Sequence, residues 1–143
     1  VRSSAASDVY KRQHVASSCL LTTVLVVYTP LSIIPSAIGG FIGAVLPDYD
    51  FFVGKHRGFS HSIICALIVG IIGCLFNVNF GVALGFSYLL HIVLDSFTKM
   101  GVPILKPFND NYYGFKLIKS GGSEDLFICI VIIFILTEWI VKI

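Results

Sequence analysis

Five apolar runs dominate the chain, and each is apolar on every side. They are Val15–Thr29, closed by Pro30; Leu31–Leu46, with Pro35 in its first turns and Pro47 closing it; Ser62–Phe76; Phe80–Phe97; and Leu126–Val141. A helix on a soluble surface carries an apolar stripe, whereas one apolar all round is buried in protein or lipid. Composition agrees: 56% of residues are apolar and 13% charged, against about 45–50% and about 25% in soluble domains. This composition argues against a soluble monomer and excludes a disordered chain. At about 20 residues per crossing, 143 residues hold roughly five helices and no separate soluble domain. The expected fold is all-α, a multi-pass transmembrane bundle of about five helices. Several runs are short, so three to five of them are expected to cross fully. The net charge of +2 is too small for a nucleic-acid surface, and the bilayer is the expected partner.

The stretch Val1–Gln13 is polar and Ser-rich. It resembles translated adaptor read-through and is expected to be a non-native tail, with 14–143 forming one membrane-embedded domain. Residues 14–143 carry seven basic and seven acidic side chains. Cys19, Cys65, Cys74 and Cys129 lie inside apolar runs without a C-x-x-C spacing, so they are expected to be small buried hydrophobes. Gly39-x-x-x-Gly43 and Gly81-x-x-x-Gly85 place small residues on one face of the second and fourth helices, where backbones can approach closely in lipid.

If all five runs cross, the connections alternate sides. Lys55, Arg57, Lys99, Lys106, Lys116 and Lys119 then share one side, against Lys142 on the other. The excess of basic residues makes the first side cytoplasmic. All four histidines fall on that side. His14 opens the first run, Asp48 and Asp50 follow the second, His56 and His61 precede the third, His91 and Asp95 end the fourth, and Glu124 opens the fifth. Ionisable groups near a bilayer are costly and mark functional sites. Carboxylates and imidazoles gathered this way suit a divalent metal.

His91 and Asp95 are four residues apart and share a helix face, in a run where burial without partners is expensive. Asp48-Tyr49-Asp50 can direct two carboxylates at one cation or bridge two. His56 and His61 flank a Gly turn. Arg57 has a planar fork suited to an anionic oxygen. Glu124 follows Gly121-Gly122-Ser123 and also fits an ordinary acidic helix start. In the long loop, Phe108, Tyr112, Tyr113 and Phe115 alternate with lysines, as in an interfacial aromatic belt.

These blocks resemble the LexA-regulated, inner-membrane, metal-dependent hydrolase family of YdjM type. That family's pattern runs L-P-D-x-D, H-R-G-x-[TS]-H-S and H-x-x-x-D-x-x-T-x-x-G-V-P. Here the blocks read Leu46-Pro47-Asp48-Tyr49-Asp50, His56 through Ser62, and His91 through Asp95, Thr98, Gly101, Val102 and Pro103. The family's early His matches His14. Its Gly-Ser-x-x-Glu opening of the last helix is met imperfectly by Gly122, Ser123 and Glu124, where the Glu directly follows the Ser. The resemblance implies a multi-pass helical inner-membrane protein and a predicted hydrolase.

The expected function is therefore a metal-dependent hydrolase at the cytoplasmic membrane surface. Its ligands would come from His14, Asp48, Asp50, His56, His61, His91 and Asp95. The cofactor would be a divalent ion (Zn, Mn or Fe) that acidifies a water and polarises the scissile group. Arg57 would steady an anionic oxygen. One of the acids or histidines outside the ligand set would act as general base, and Glu124 is a candidate catalytic residue. A phosphoester, for example in a lipid headgroup, is the preferred substrate. The alternatives are a metal-ion or proton transporter and a noncatalytic metal-binding scaffold. A transporter would place its polar residues near the bilayer midplane, whereas these gather at one end. Lipid phosphatases with a His nucleophile carry an Arg six residues before it, where this chain has Gly85. The H-E-x-x-H of intramembrane metalloproteases does not occur.

Overall fold

Prolines and short polar residues set the ends of the helices. The computed structural model describes the backbone of residues 4–52, 58–97, 101–115 and 123–142, without the side chains of 4–11, 50–52, 123–126, 128, 129 and 141. Among the described residues it is all-helical, with α1 (Ser4–Tyr28), α2 (Ile33–Val45), α3 (Ile63–Phe76), α4 (Val78–Ser96) and α5 (Ser123–Lys142). Pro35 sits in the first turn of α2, where a backbone N–H has no helical partner to lose. Leu46–Phe52 tightens into a 3-10 turn. The Ser62 hydroxyl caps α3 by accepting from the Cys65 N–H at 3.2 Å. Asn77 ends α3 and starts α4 by itself. Its N–H reaches the Gly73 carbonyl at 3.0 Å, and its side-chain oxygen accepts from the Phe80 N–H at 3.1 Å.

Two of the shifts between expected and observed helix beginnings have a local cause. α4 starts at Val78 rather than Phe80, because Asn77 alone makes the turn. α1 starts at Ser4 rather than Val15, because Ala, Lys, Arg and Gln favour helix without any apolar pattern. The helix therefore continues through the polar N-terminal stretch, and Gln13 within it is buried.

α4 is central, with α2 and α3 packed along it, α1 against α2 and α4, and α5 against α1. Gly39 abuts Phe80, and Gly43 abuts Leu84, Ser87 and Tyr88, so α2 runs parallel to α4. Gly70 faces Gly85 and Gly73 faces Gly81, so α3 is antiparallel to it. α1 is antiparallel too, since Ser18 bonds Ser87 near its middle while His14 meets Asp95. Tyr28 stacks on Trp139 with ring centroids 5.6 Å apart, joining the last turns of α1 and α5 at the opposite end.

Polar side chains face inward and apolar ones outward. Ser17, Ser18, Thr22, Ser36, Ser87 and Asp95 are buried, whereas Ile34, Phe41, Ile71, Leu75, Phe76 and Phe134 are exposed. Water would reverse this arrangement; lipid permits it, with hydroxyls joining helices inside. The Ser18 and Ser87 hydroxyls each stand 2.6 Å from the Gly40 carbonyl oxygen and in contact with one another, so their two hydrogens are shared among these three oxygens. Cys19 corrects an expectation: it is exposed, and Cys65 and Cys74 are only half-buried, because the buried face of α1 is taken by its polar residues. Cys129 lies outside the described side chains.

The segment 101–115 straps the start of α3 to the end of α4. Val102 pairs with Tyr113 through bonds of 2.8 and 2.9 Å, the Ile63 N–H donates to the Ile104 carbonyl at 3.2 Å, and the Phe115 N–H donates to the Ser96 carbonyl at 2.8 Å. Val102 is fully buried against Ala66, Tyr88 and Ile92. Gly101 starts the strap at a φ of +68°, and a Cβ there would stand 2.7 Å from the Tyr113 carbonyl oxygen. Gly101→Ala is expected to destabilise the protein by about 1–2 kcal/mol from the left-handed backbone alone. Thermal unfolding in detergent checks this, and an unchanged midpoint contradicts it.

Candidate metal centre

The helix directions bring four distant segments to one end. His14 comes from α1, Asp48 from the turn after α2, His61 from the short 3-10 turn Phe59–His61 before α3, and His91 and Asp95 from the last turns of α4. Pro47 ends α2 so that Asp48 turns back over α4, and the i, i+4 spacing aims His91 and Asp95 the same way. One ligand atom each from Asp48, His61, His91 and Asp95 lies within 4.8 Å of all the others. His61 Nε2 stands 3.0 Å from Asp95 Oδ2 and 4.0 Å from Asp48 Oδ1. His91 Nε2 stands 3.4 Å from Asp48 Oδ1 and 3.4 Å from Asp95 Oδ2. Donors about 2.0–2.2 Å from one divalent ion would themselves be roughly 3–4 Å apart, so the spacing fits one ion.

The protons point to the same conclusion. His91 Nδ1 lies 2.6 Å from the Ala44 carbonyl oxygen. A carbonyl only accepts, so Nδ1 carries the hydrogen. In a neutral imidazole Nε2 then presents a lone pair to two carboxylates. Among the described residues, His91 Nε2 and Asp48 Oδ1 are buried and make no hydrogen bond. Two acceptors facing each other need a cation or a proton between them. Donation from the far ring nitrogen to a backbone carbonyl is the usual way of orienting a ligating histidine. Two carboxylates and two neutral imidazoles also balance a divalent charge in a poorly solvated place.

His14 stands beside the four. Its Nε2 is 3.2 Å from Asp95 Oδ1, and its ring lies over that of His91 with centroids 4.0 Å apart. The Asp95 carboxylate thus turns one oxygen to His14 and the other to His61 and His91. His61, His91 and Asp95 are essentially sealed, while Asp48 is 14% exposed, so Asp48 marks the described edge open to a ligand.

The other expected site residues stand apart from this description. The side chains of Asp50 and Glu124 lie outside it, although both backbones are helical. His56 and Arg57, together with Lys55, Thr98, Lys99, Lys116 and Lys119, lie outside the described residues altogether. Sequence reasoning missed two supporting groups. The Ala44 carbonyl carries no side-chain signal. Tyr88, whose hydroxyl donates to the Ser60 carbonyl at 2.7 Å, sits in an apolar run where an aromatic reads as core; its one signal is its place three residues before His91.

Comparison with known proteins adds one finding: the family described as YdjM inner membrane protein matches residues 10–143. No curated protein and no solved structure matches the chain.

Proposed function

Since the chain belongs to the YdjM inner membrane protein family, we propose that it is a multi-pass membrane hydrolase with a divalent metal centre. The observation that carries this reading is the buried Asp48–His61–His91–Asp95 group, with its four ligand atoms within 4.8 Å. Asp48, His61, His91 and Asp95 would hold the ion, with Asp50 and His56 as further candidates for the same cation or a second one. Such an ion supplies Lewis acidity, which brings a water into the nucleophilic range near neutral pH and polarises an ester.

The chain's own residues divide the remaining work. His14 meets the outer oxygen of Asp95 and can hold a proton there. Arg57 offers a fork for an anionic oxygen, and Glu124 a general base. Asp48 lies at the open edge, where a phosphoester or other ester, including one in a lipid headgroup, would enter. Sealed imidazoles behind that edge keep bulk water from the ligand side.

Several features support the membrane arrangement. α4, with 19 residues, is long and apolar enough to cross. α2 and α3 have 13 and 14 residues, a rise of roughly 20 Å each. They reach less than the about 30 Å hydrocarbon core unless the polar turns at their ends sit within the interface. The ends of α1 to α4 alternate, and six basic residues against one favour a cytoplasmic site. Exposed Phe108, Tyr112 and Phe115 suit the headgroup layer there.

The test is metal analysis by ICP-MS of protein purified in detergent, followed by an ester and phosphoester panel. Near-stoichiometric Zn, Mn or Fe with metal-dependent turnover is expected. Metal below about 0.2 per chain, unchanged by His91→Ala, overturns the metal centre. Loaded protein without turnover on the panel favours a structural centre over an enzyme.

A further inference from the structure

We infer that Tyr88 is the positioning residue for His61, acting on the peptide unit that joins Ser60 to His61; this rests on the metal-centre reading above. Tyr88 is 1% exposed, and its ring packs among Ala66, Ile92 and Val102. A phenylalanine would satisfy that packing. A phenol there must bond its hydroxyl or bear a desolvation cost, so the oxygen needs its own explanation.

Its bonds supply one. The Tyr88 hydroxyl donates to the Ser60 carbonyl at 2.7 Å. That carbonyl and the His61 N–H belong to the same planar peptide unit. The His61 N–H donates in turn to the Gly58 carbonyl at 3.1 Å. Both polar groups of one plane are therefore held, one from α4 and one from the turn, and the plane sets where the His61 side chain leaves the backbone. Nδ1 of that ring meets the Ser60 hydroxyl at 3.1 Å, and Nε2 faces Asp95 at 3.0 Å.

Donor counting fixes the rest. Tyr88 has a single hydroxyl hydrogen, already given to Ser60. Cys65 Sγ, 3.3 Å from the same oxygen, must therefore be the donor in that contact. The thiol pins the rotation of the phenol and is not itself a ligand. The contrast with His91 explains why such a device is needed. His91 stands on a regular helix and needs only the Ala44 carbonyl to fix its ring. His61 stands on a 3-10 turn of three residues, which has no helical ladder to hold it.

The experiment compares wild type, Tyr88→Phe and, as a control at the far end, Tyr28→Phe, all in detergent. Co²⁺ is the metal probe, read by its d–d absorption. The histidine ring ¹⁵N shifts of the metal-free proteins are read by NMR. Tyr88→Phe is expected to weaken Co²⁺ binding about tenfold, the scale of losing a support behind a ligand, and to alter the d–d bands. In the metal-free protein it should move the His61 ring shifts and leave those of His91 in place. Tyr28→Phe should change nothing. An unchanged Kd for Co²⁺, or unmoved His61 shifts, overturns the inference. If wild type takes up no Co²⁺, the metal-centre reading fails, while the His61 shifts still decide the positioning role. If Tyr88→Phe does not fold, Cys65→Ala decides instead: it should move the His61 shifts in the same direction by less, and unmoved shifts overturn the role.

Discussion

Asp95→Asn is expected to leave the protein essentially free of metal. Asp95 touches every described histidine of the cluster, with His14 at 3.2 Å, His61 at 3.0 Å and His91 at 3.4 Å. The amide keeps the volume and one oxygen but removes the charge. A divalent ion in a buried place would then keep a single carboxylate, Asp48, among the four grouped ligands. Supporting residues behind a ligand already cost about 10–100-fold in metal affinity, so the loss here should exceed about 100-fold. His14→Ala, which removes a group beside the four, should cost less, on the order of tenfold. Glu138→Gln, an exposed change on α5 beside Lys142, should cost nothing. Metal content after dialysis and Co²⁺ titration measure all three. Stoichiometric metal in Asp95→Asn, or a loss no larger than in His14→Ala, contradicts the assigned ligand group.

The group was legible in the sequence because its members are conspicuous where they stand. His91 and Asp95 interrupt a run of Leu, Ile and Val, and Asp48 follows a proline that ends a helix. What pattern could not show is which partners close in space. That depends on α2 running parallel to α4, which follows from Gly39 and Gly43 lying against Phe80 and Leu84. The Ala44 carbonyl and the Tyr88 hydroxyl were hidden for opposite reasons. One is backbone, identical at every position, and the other sits in a residue whose ring already accounts for its burial. Helix identities were legible from apolar runs, and most ends from proline and asparagine. The start of α1 was not, because residues 4–13 are helix-compatible but polar, and apolar patterning is silent there.

Gly43 and Gly85, each the second glycine of a G-x-x-x-G, looked alike in sequence, yet they are expected to respond very differently to a methyl group. A Cβ at Gly43 would meet the Leu84 carbonyl oxygen at 2.5 Å, the Ser87 Cβ at 2.9 Å and the Tyr88 nitrogen at 3.1 Å. Two of these atoms are backbone inside α4 and cannot rotate away, so α2 must move off α4. A Cβ at Gly85 would meet only the Gly70 Cα, at 3.3 Å, and a shift of a few tenths of an ångström relieves it. Alanine in a helix gains about 1 kcal/mol over glycine, which offsets a mild contact but not a backbone collision. Gly43→Ala is therefore expected to destabilise the protein by about 2–3 kcal/mol, and Gly85→Ala to stay within about 1 kcal/mol of wild type. The first change also reaches the metal centre. Gly43 precedes the Ala44 carbonyl that holds His91, and Asp48 follows a turn later, so parting α2 from α4 draws two supports away together. Sites of this kind tolerate only about 0.5 Å, so folded Gly43→Ala should bind Co²⁺ at least about tenfold more weakly, with Gly85→Ala unaffected. Denaturant unfolding in mixed micelles and Co²⁺ titration read the two effects. Equal responses from the two glycines would mean that the α2–α4 contact does not set the spacing of the ligands.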